Sequence, residues 1–200
     1  MSAVRQGFKA SLMAVLLAAT LGSATAAVDV AGVKYPDTVN VAGKDLVLNG
    51  AGVRTKFIIK VYTAGLYLES PAQTADAILK STGPRRVRLV MLRDVSSDDF
   101  GSAFMAGLND NVSSEDKMKI VSQISKYGEM FASFNGLKKG DVLETDYIPG
   151  VGSQSHLNGK KVGTPLPDVI FNNAVLRIWL GEKPVDKGLK AKLLATPRTN

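Results

Sequence analysis

The 200 residues carry 25 Lys and Arg against 18 Asp and Glu, a formal net charge of +7, with no cysteine and a single histidine. Without thiols, disulfides, thiolate metal sites, cysteine nucleophiles and iron–sulfur clusters are excluded, and one histidine excludes multi-histidine metal centres and leaves only His156 for a Ser-His-Asp triad. The basic residues are spread through the chain apart from Arg85-Arg86-Val87-Arg88, and no nucleic-acid motif accompanies them, so the charge does not point to nucleic acid.

At the start, Arg5 and Lys9 give a positive segment, Ala10 to Leu21 is an apolar run of 12 residues, and Ala24-Thr25-Ala26 has the small-residue pattern of a cleavage site. This predicts a cleaved secretory signal over residues 1–26 and a periplasmic or secreted mature chain. A run of 12 falls well short of the roughly 20 residues a spanning helix needs, so no stable membrane span is expected after cleavage. Residues 27–200 then form one domain of ordinary size, with 23 basic against 18 acidic residues.

From Val28 to Leu48 the chain reads as short β pieces punctuated at Tyr35-Pro36-Asp37 and Ala42-Gly43-Lys44. Val53 to Leu68 reads as one continuing strand, rich in branched and aromatic residues. Its period of two sets Arg54, Lys56, Ile58, Lys60 and Tyr62 on one face and Thr55, Phe57, Ile59 and Val61 on the other. Pro71 to Ser81 is a short helix ended by Gly83-Pro84, and Arg86 to Met91 is an alternating strand. Ser96-Ser97-Asp98-Asp99 caps a helix to about Asn109, with Phe100, Ala103, Phe104 and Gly107 on one stripe. A second helix starts near Ser113 and runs through Ile120, Ile124, Tyr127 and Phe131, pairing with the first.

Asp141 to Ile148 is a strand, and Asn158-Gly159 is a two-residue hairpin signal with His156 as an exposed residue on its arm. Pro167-Asp168 opens an apolar helix, Val169 to Leu180, stopped by Gly181, with Trp179 as core; Asp186 to Leu194 is a final exposed helix. This order lacks regular βα alternation and predicts an α+β fold, a large antiparallel sheet with a layer of helices on one face. Gly150-Val151-Gly152-Ser153 lacks the spacing of a nucleotide loop, and Asp98-Asp99 and Glu115-Asp116 are explained by helix capping.

Three blocks carry a resemblance: Gly50 to Glu69, with its "G-x-G-x-R" turn at Gly50, Gly52 and Arg54 and its Gly65-Leu66-Tyr67-Leu68-Glu69 ending; the helix opened by Ser97-Asp98-Asp99-Phe100; and Asn173 to Glu182. Together they resemble the chalcone isomerase family, which implies an open-faced sandwich with a cleft between sheet and helices. Enzymes of that family close a chalcone into a flavanone, moving negative charge onto a carbonyl oxygen, and so need cations and hydrogen-bond donors aimed at it. The resemblance places the family's arginine on Arg54. It places the strand threonine on Tyr62, the helix tyrosine, lysine and asparagine on Phe100, Ala103 and Gly107, and a late Ser/Thr on Asn172. Several donors are lost, each worth about 2.7–4 kcal/mol in an oxyanion hole.

Non-catalytic relatives bind fatty acids, with an arginine and a tyrosine on the carboxylate. The resemblance therefore implies a periplasmic binder of a fatty acid or similar carboxylated amphiphile, through Arg54, Tyr62, Phe100, Ala103, Phe104, Gly107, Asn172 and Asn173, with no cofactor and no metal. The alternatives are an intramolecular lyase of the chalcone isomerase type, with Arg54 catalytic, and a non-catalytic interaction protein of the cell envelope. Beside these stand plainer readings, in which Arg54 pairs with Asp94 or Asp98 and the Phe100 and Phe104 stripe is core.

Overall fold

The computed structural model describes residues 27–195, and the expected leader lies outside them. Seven strands follow one another in chain order as a single antiparallel sheet: β3 (Thr38–Val41), β4 (Lys44–Lys56), β5 (Ile59–Leu68), β6 (Arg85–Met91), β7 (Val142–Ile148), β8 (Gly152–Leu157) and β9 (Lys160–Leu166). A separate hairpin, β1 (Ala27–Val30) and β2 (Val33–Pro36), precedes them. Helix α1 (Ala75–Lys80) connects β5 to β6; α2 (Ser97–Asn111), α3 (Ser114–Lys119) and α4 (Val121–Ala132) connect β6 to β7; α5 (Val169–Leu180) and α6 (Lys187–Leu193) follow β9. The fold is α+β, a large antiparallel sheet whose helices pack on one face.

The pleat sorts the side chains. Tyr62, Ala64, Leu66 and Leu68 of β5 and Val87, Leu89 and Met91 of β6 face the helices, joining Leu108, Phe131, Val175 and Leu176 in the main core. The opposite face buries Tyr35, Leu46, Leu48, Tyr67 and Val90, with Val28 and Val30 of the β1–β2 hairpin packed against them. On that face Arg86 pairs with Asp146 and Arg88 with Glu144 across β6 and β7. Arg86 and Arg88 are thus neutralised by ion pairs and Arg85 is buried at 1% exposure, which removes the basic run of β6 as a nucleic-acid patch.

The structure corrects several local expectations. Residues 53–68 are two strands, turning at Phe57-Ile58, with Lys56 opposite Ile59. A one-residue slip follows Arg54, which pairs with Tyr62 while Thr55 pairs with Lys60, so Arg54 and Tyr62 share a face as cross-strand neighbours. The helix expected from Pro71 begins only at Ala75, where the Thr74 hydroxyl accepts from the Ala77 N–H. The helix expected through Ile120 is two helices: Ile120 leaves helical geometry at φ −115°, ψ 17° and is fully buried. Helix α6 is exposed on one side only, since Leu189 and Leu193 are buried. His156 is half-buried, its Nδ1 3.8 Å from an Asp146 carboxylate oxygen.

Two glycines set the helical layer's closest approach to the sheet. A bulge at Asn49 switches the pleat, so Gly50, Gly52 and Arg54 point toward the helices. A Cβ on Gly50 would overlap the Lys192 carbonyl oxygen, and one on Gly52 would lie 2.8 Å from Lys192 Cβ. Helix α6 thus lies directly on these positions. Asn49, fully buried, fastens it there by donating 2.7 Å to the Leu193 carbonyl. Gly50→Ala is expected to cost about 2–3 kcal/mol, the upper range for overpacking, because backbone must move; urea unfolding measures it, and a loss below about 0.5 kcal/mol would contradict this packing.

Candidate functional site

A cavity of about 430 Å³ lies between β4–β7 and helices α2, α4 and α5. The motif spacing explains how Arg54 reaches it. Helix α6 covers Gly50 and Gly52 and begins just short of Arg54: its cap, Asp186, accepts the Leu189 N–H at 2.9 Å and, with its other oxygen, the Thr55 N–H at 2.8 Å. The next inward position of β4 is left uncovered, and the Arg54 side chain lines the cavity.

Arg54 is half-buried, with its guanidinium carbon 5.5 Å from the centroid of the Tyr62 ring. Among the described residues it forms no ion pair. Asp94, one of the two partners considered from the sequence, is taken elsewhere: its carboxylate accepts the Lys139 N–H at 2.8 Å and Lys138 Nζ at 3.3 Å, contacts that hold its pKa below the usual carboxylate value.

Tyr62 is buried, and its hydroxyl oxygen accepts the Trp179 indole N–H at 2.8 Å. Indole nitrogen only donates, so the tyrosine's own proton remains to be given to a further acceptor. Burial, only partly opposed by Arg54, pushes its pKa up to about 12, and the group stays a neutral donor at physiological pH. The guanidinium over the Tyr62 ring and the phenolic O–H thus give one sheet face two donors of the kind a carboxylate accepts.

The rest of the wall is largely apolar. Phe100, Ala103 and Phe104 of α2, Phe131 of α4, and Val175 and Ile178 of α5 face Val87, Leu89 and Leu143 of the sheet. Phe100 packs at a 59° tilt against Phe131 at 4.7 Å and Phe104 at 43° against Tyr127 at 4.9 Å, so the rings on the aromatic side brace one another. Tyr127 and Thr145 add hydroxyls, 3.1 Å apart, and Thr145 lies 3.2 Å from Ser155; each hydroxyl of this buried chain has a partner, and two hydrogen bonds among three hydroxyls leave one proton over. Charges gather at the rim, where Lys56, Arg93, Asp94 and Asp99 are exposed.

Of the residues expected from the sequence, Arg54, Tyr62, Phe100, Ala103 and Phe104 meet at this cavity. Gly107, Asn172 and Asn173 do not. Gly107 is where α2 touches α5, with Ile178 Cγ2 2.8 Å from where a Cβ would stand. Asn172 and Asn173 hold Arg85, accepting from its Nε at 2.6 Å and its NH2 at 2.7 Å. Arg93, Tyr127, Thr145 and Trp179 line the cavity without having been singled out for it. The one legible sign was the helical spacing of Phe171, Val175 and Trp179 on α5, which marked an inward face without saying that part of it borders open space.

A family model described as chalcone isomerase-like matches residues 27–195. Among solved structures, the fatty-acid binding protein of Arabidopsis thaliana is similar, with a TM-score of 0.60 and 16% sequence identity over 82% of this chain and 92% of that one. No curated protein sequence matches the chain.

Proposed function

The chain belongs to the chalcone isomerase-like family, and we propose that it binds a fatty acid or similar carboxylated amphiphile in the sheet–helix cavity without catalysing a reaction on it. One observation carries this reading: an arginine with no ion-pair partner among the described residues stands beside a tyrosine with an unspent proton, at one side of an otherwise mostly apolar cavity. The carboxylate takes the guanidinium and the phenolic O–H, and the tail lies against Phe100, Phe104, Phe131 and Val175. The volume of about 430 Å³ falls within the ordinary range of small-molecule sites, roughly 300–1,000 Å³. The similar Arabidopsis protein is itself a fatty-acid binding protein, which supports the choice of ligand class.

Phe100 and Ala103 occupy the positions that the family resemblance assigns to a catalytic tyrosine and lysine, and neither can donate a hydrogen bond from its side chain. This favours holding over turnover. Chalcone cyclisation above the spontaneous rate, abolished by Arg54→Ala, would reverse the preference. The leader pattern of residues 1–26 supports a periplasmic or secreted location, and no described helix is long and apolar enough to cross a membrane.

Native mass spectrometry of protein purified from its host is expected to show a bound acid and a mature chain beginning near Ala27. Calorimetry with saturated fatty acids of increasing length is expected to show affinity rising about fourfold per added methylene, from about 0.8 kcal/mol per buried CH₂, until the cavity is filled. An affinity indifferent to chain length would contradict an apolar tail site.

A further inference from the structure

The turn between β4 and β5 exposes two large apolar side chains, Phe57 and Ile58, at 92% and 93% of their surface, with Ile59 beside them at 46%. Neither Phe57 nor Ile58 packs against the core, so neither contributes burial energy to folding. The conformation opposes the choice of residue as well. Phe57 adopts φ 56°, a left-handed position at a two-residue hairpin tip where glycine, asparagine or aspartate is the usual occupant and a bulky residue is rare. An aromatic kept at a strained, wholly exposed position calls for an external partner.

The surrounding charge indicates which partner. Lys56 and Lys60 flank the tip, Arg54 lies two residues before Lys56, and residues 46–68 contain no acidic side chain; the acids near this end, Asp186 on the Thr55 N–H and Asp94 and Asp99 at the cavity rim, come from other segments. Protruding apolar groups flanked by two lysines match the interfacial zone of an anionic bilayer, where the apolar groups enter the acyl boundary and the ammonium groups meet the phosphates. The tip also adjoins the cavity, because Lys56, the residue before Phe57, lines it, and Arg93 at the rim extends from β6 at the same end of the sheet.

We propose that the Phe57-Ile58 hairpin tip is a docking element for an anionic lipid bilayer, holding the rim of the cavity against the membrane surface. The docking stands on the hairpin alone; that the docked cavity exchanges amphiphile with the bilayer rests on the fatty-acid reading above.

The test compares the full chain with its Phe57→Gly/Ile58→Ser variant in sedimentation with vesicles of phosphatidylcholine, alone or containing phosphatidylglycerol. Residues 1–26 are common to both proteins, so only a difference between them counts. The wild type is expected to bind the anionic vesicles at least tenfold more tightly than the variant, with binding weakened by salt and by omission of the anionic lipid. The variant is expected to melt no lower than the wild type, since glycine relieves the turn, and to keep its fatty-acid affinity in vesicle-free solution. Equal vesicle binding by the two proteins, or none by the wild type, overturns the proposal. So does a wild-type dimer that the variant abolishes in the absence of vesicle binding, which would make the tip a self-association surface. If neither protein binds fatty acid while the vesicle difference persists, the docking holds and the ligand reading fails.

Discussion

Arg54→Ala is expected to weaken fatty-acid binding by about ten- to hundredfold while leaving the ligand-free protein nearly as stable as before. The affinity loss follows from removing a charge-assisted hydrogen bond to a carboxylate, worth about 1.5–3 kcal/mol, at tenfold per 1.4 kcal/mol. The small stability change follows from what Arg54 lacks: among the described residues it has no ion pair, only the Tyr62 ring at 5.5 Å, a contact worth about 0.5–1 kcal/mol. Arg54→Lys keeps the charge but loses the planar fork and should fall between the two. Tyr62→Phe is a poorer probe, because it also strips the Trp179 N–H of its acceptor and would lower stability along with affinity. Calorimetric titration and urea unfolding of the same samples separate these effects. Undiminished affinity in the alanine variant would end the assignment of Arg54 as the anchor.

That Arg54 and Tyr62 face one cavity was legible from sequence through parity, although the path to it differed. They are eight residues apart, and a single strand through 53–68 would set both on one face; the hairpin sets them opposite each other instead. The turn has no sequence signal, because Phe57-Ile58 contains no glycine, asparagine or proline and the whole segment has strand propensity. Where turn chemistry is present, as at Asn158-Gly159 with φ 51° and 77°, the hairpin falls where expected. The break at Ile120 left no local sign either, since the junction holds no glycine or proline and its isoleucine is a fully buried core residue. Helix α6 read as exposed because its lysines outnumber its leucines, and the glycine surface that receives it lies more than 130 residues earlier in the chain. The Arg85 clamp was hidden for a similar reason: Asn172 and Asn173 read as ligand donors on a late helix, and nothing local tells a donor facing a cavity from an acceptor facing a buried cation.

Arg85 leads to the largest expected loss of stability. It is 1% exposed and among the described residues no carboxylate meets it; its guanidinium donates to Asn172 Oδ1, Asn173 Oδ1, the Ile78 carbonyl at 2.8 Å and Ser81 Oγ at 3.2 Å, over the Tyr147 ring at 4.9 Å. Burial lowers its pKa to about 10, which still leaves a cation at neutral pH. These contacts join the C-terminal end of α1, the first residue of β6 and the first turn of α5, so the one guanidinium fixes how two helices seat on the sheet. Arg85→Met keeps most of the volume but leaves the Asn172 and Asn173 side-chain oxygens unpaired, and is expected to cost about 3–5 kcal/mol in urea unfolding. Asn172→Ala removes a single partner and is expected to cost about 1.5–3 kcal/mol, and because the two changes strike the same contact, the double variant should lose less than the summed losses. Fatty-acid affinity of the folded variants should change by less than about threefold, since none of these residues lines the cavity. An Asn172→Ala protein of undiminished stability but weakened ligand binding would return Asn172 to the binding site and show that the Arg85 cluster is not what holds it.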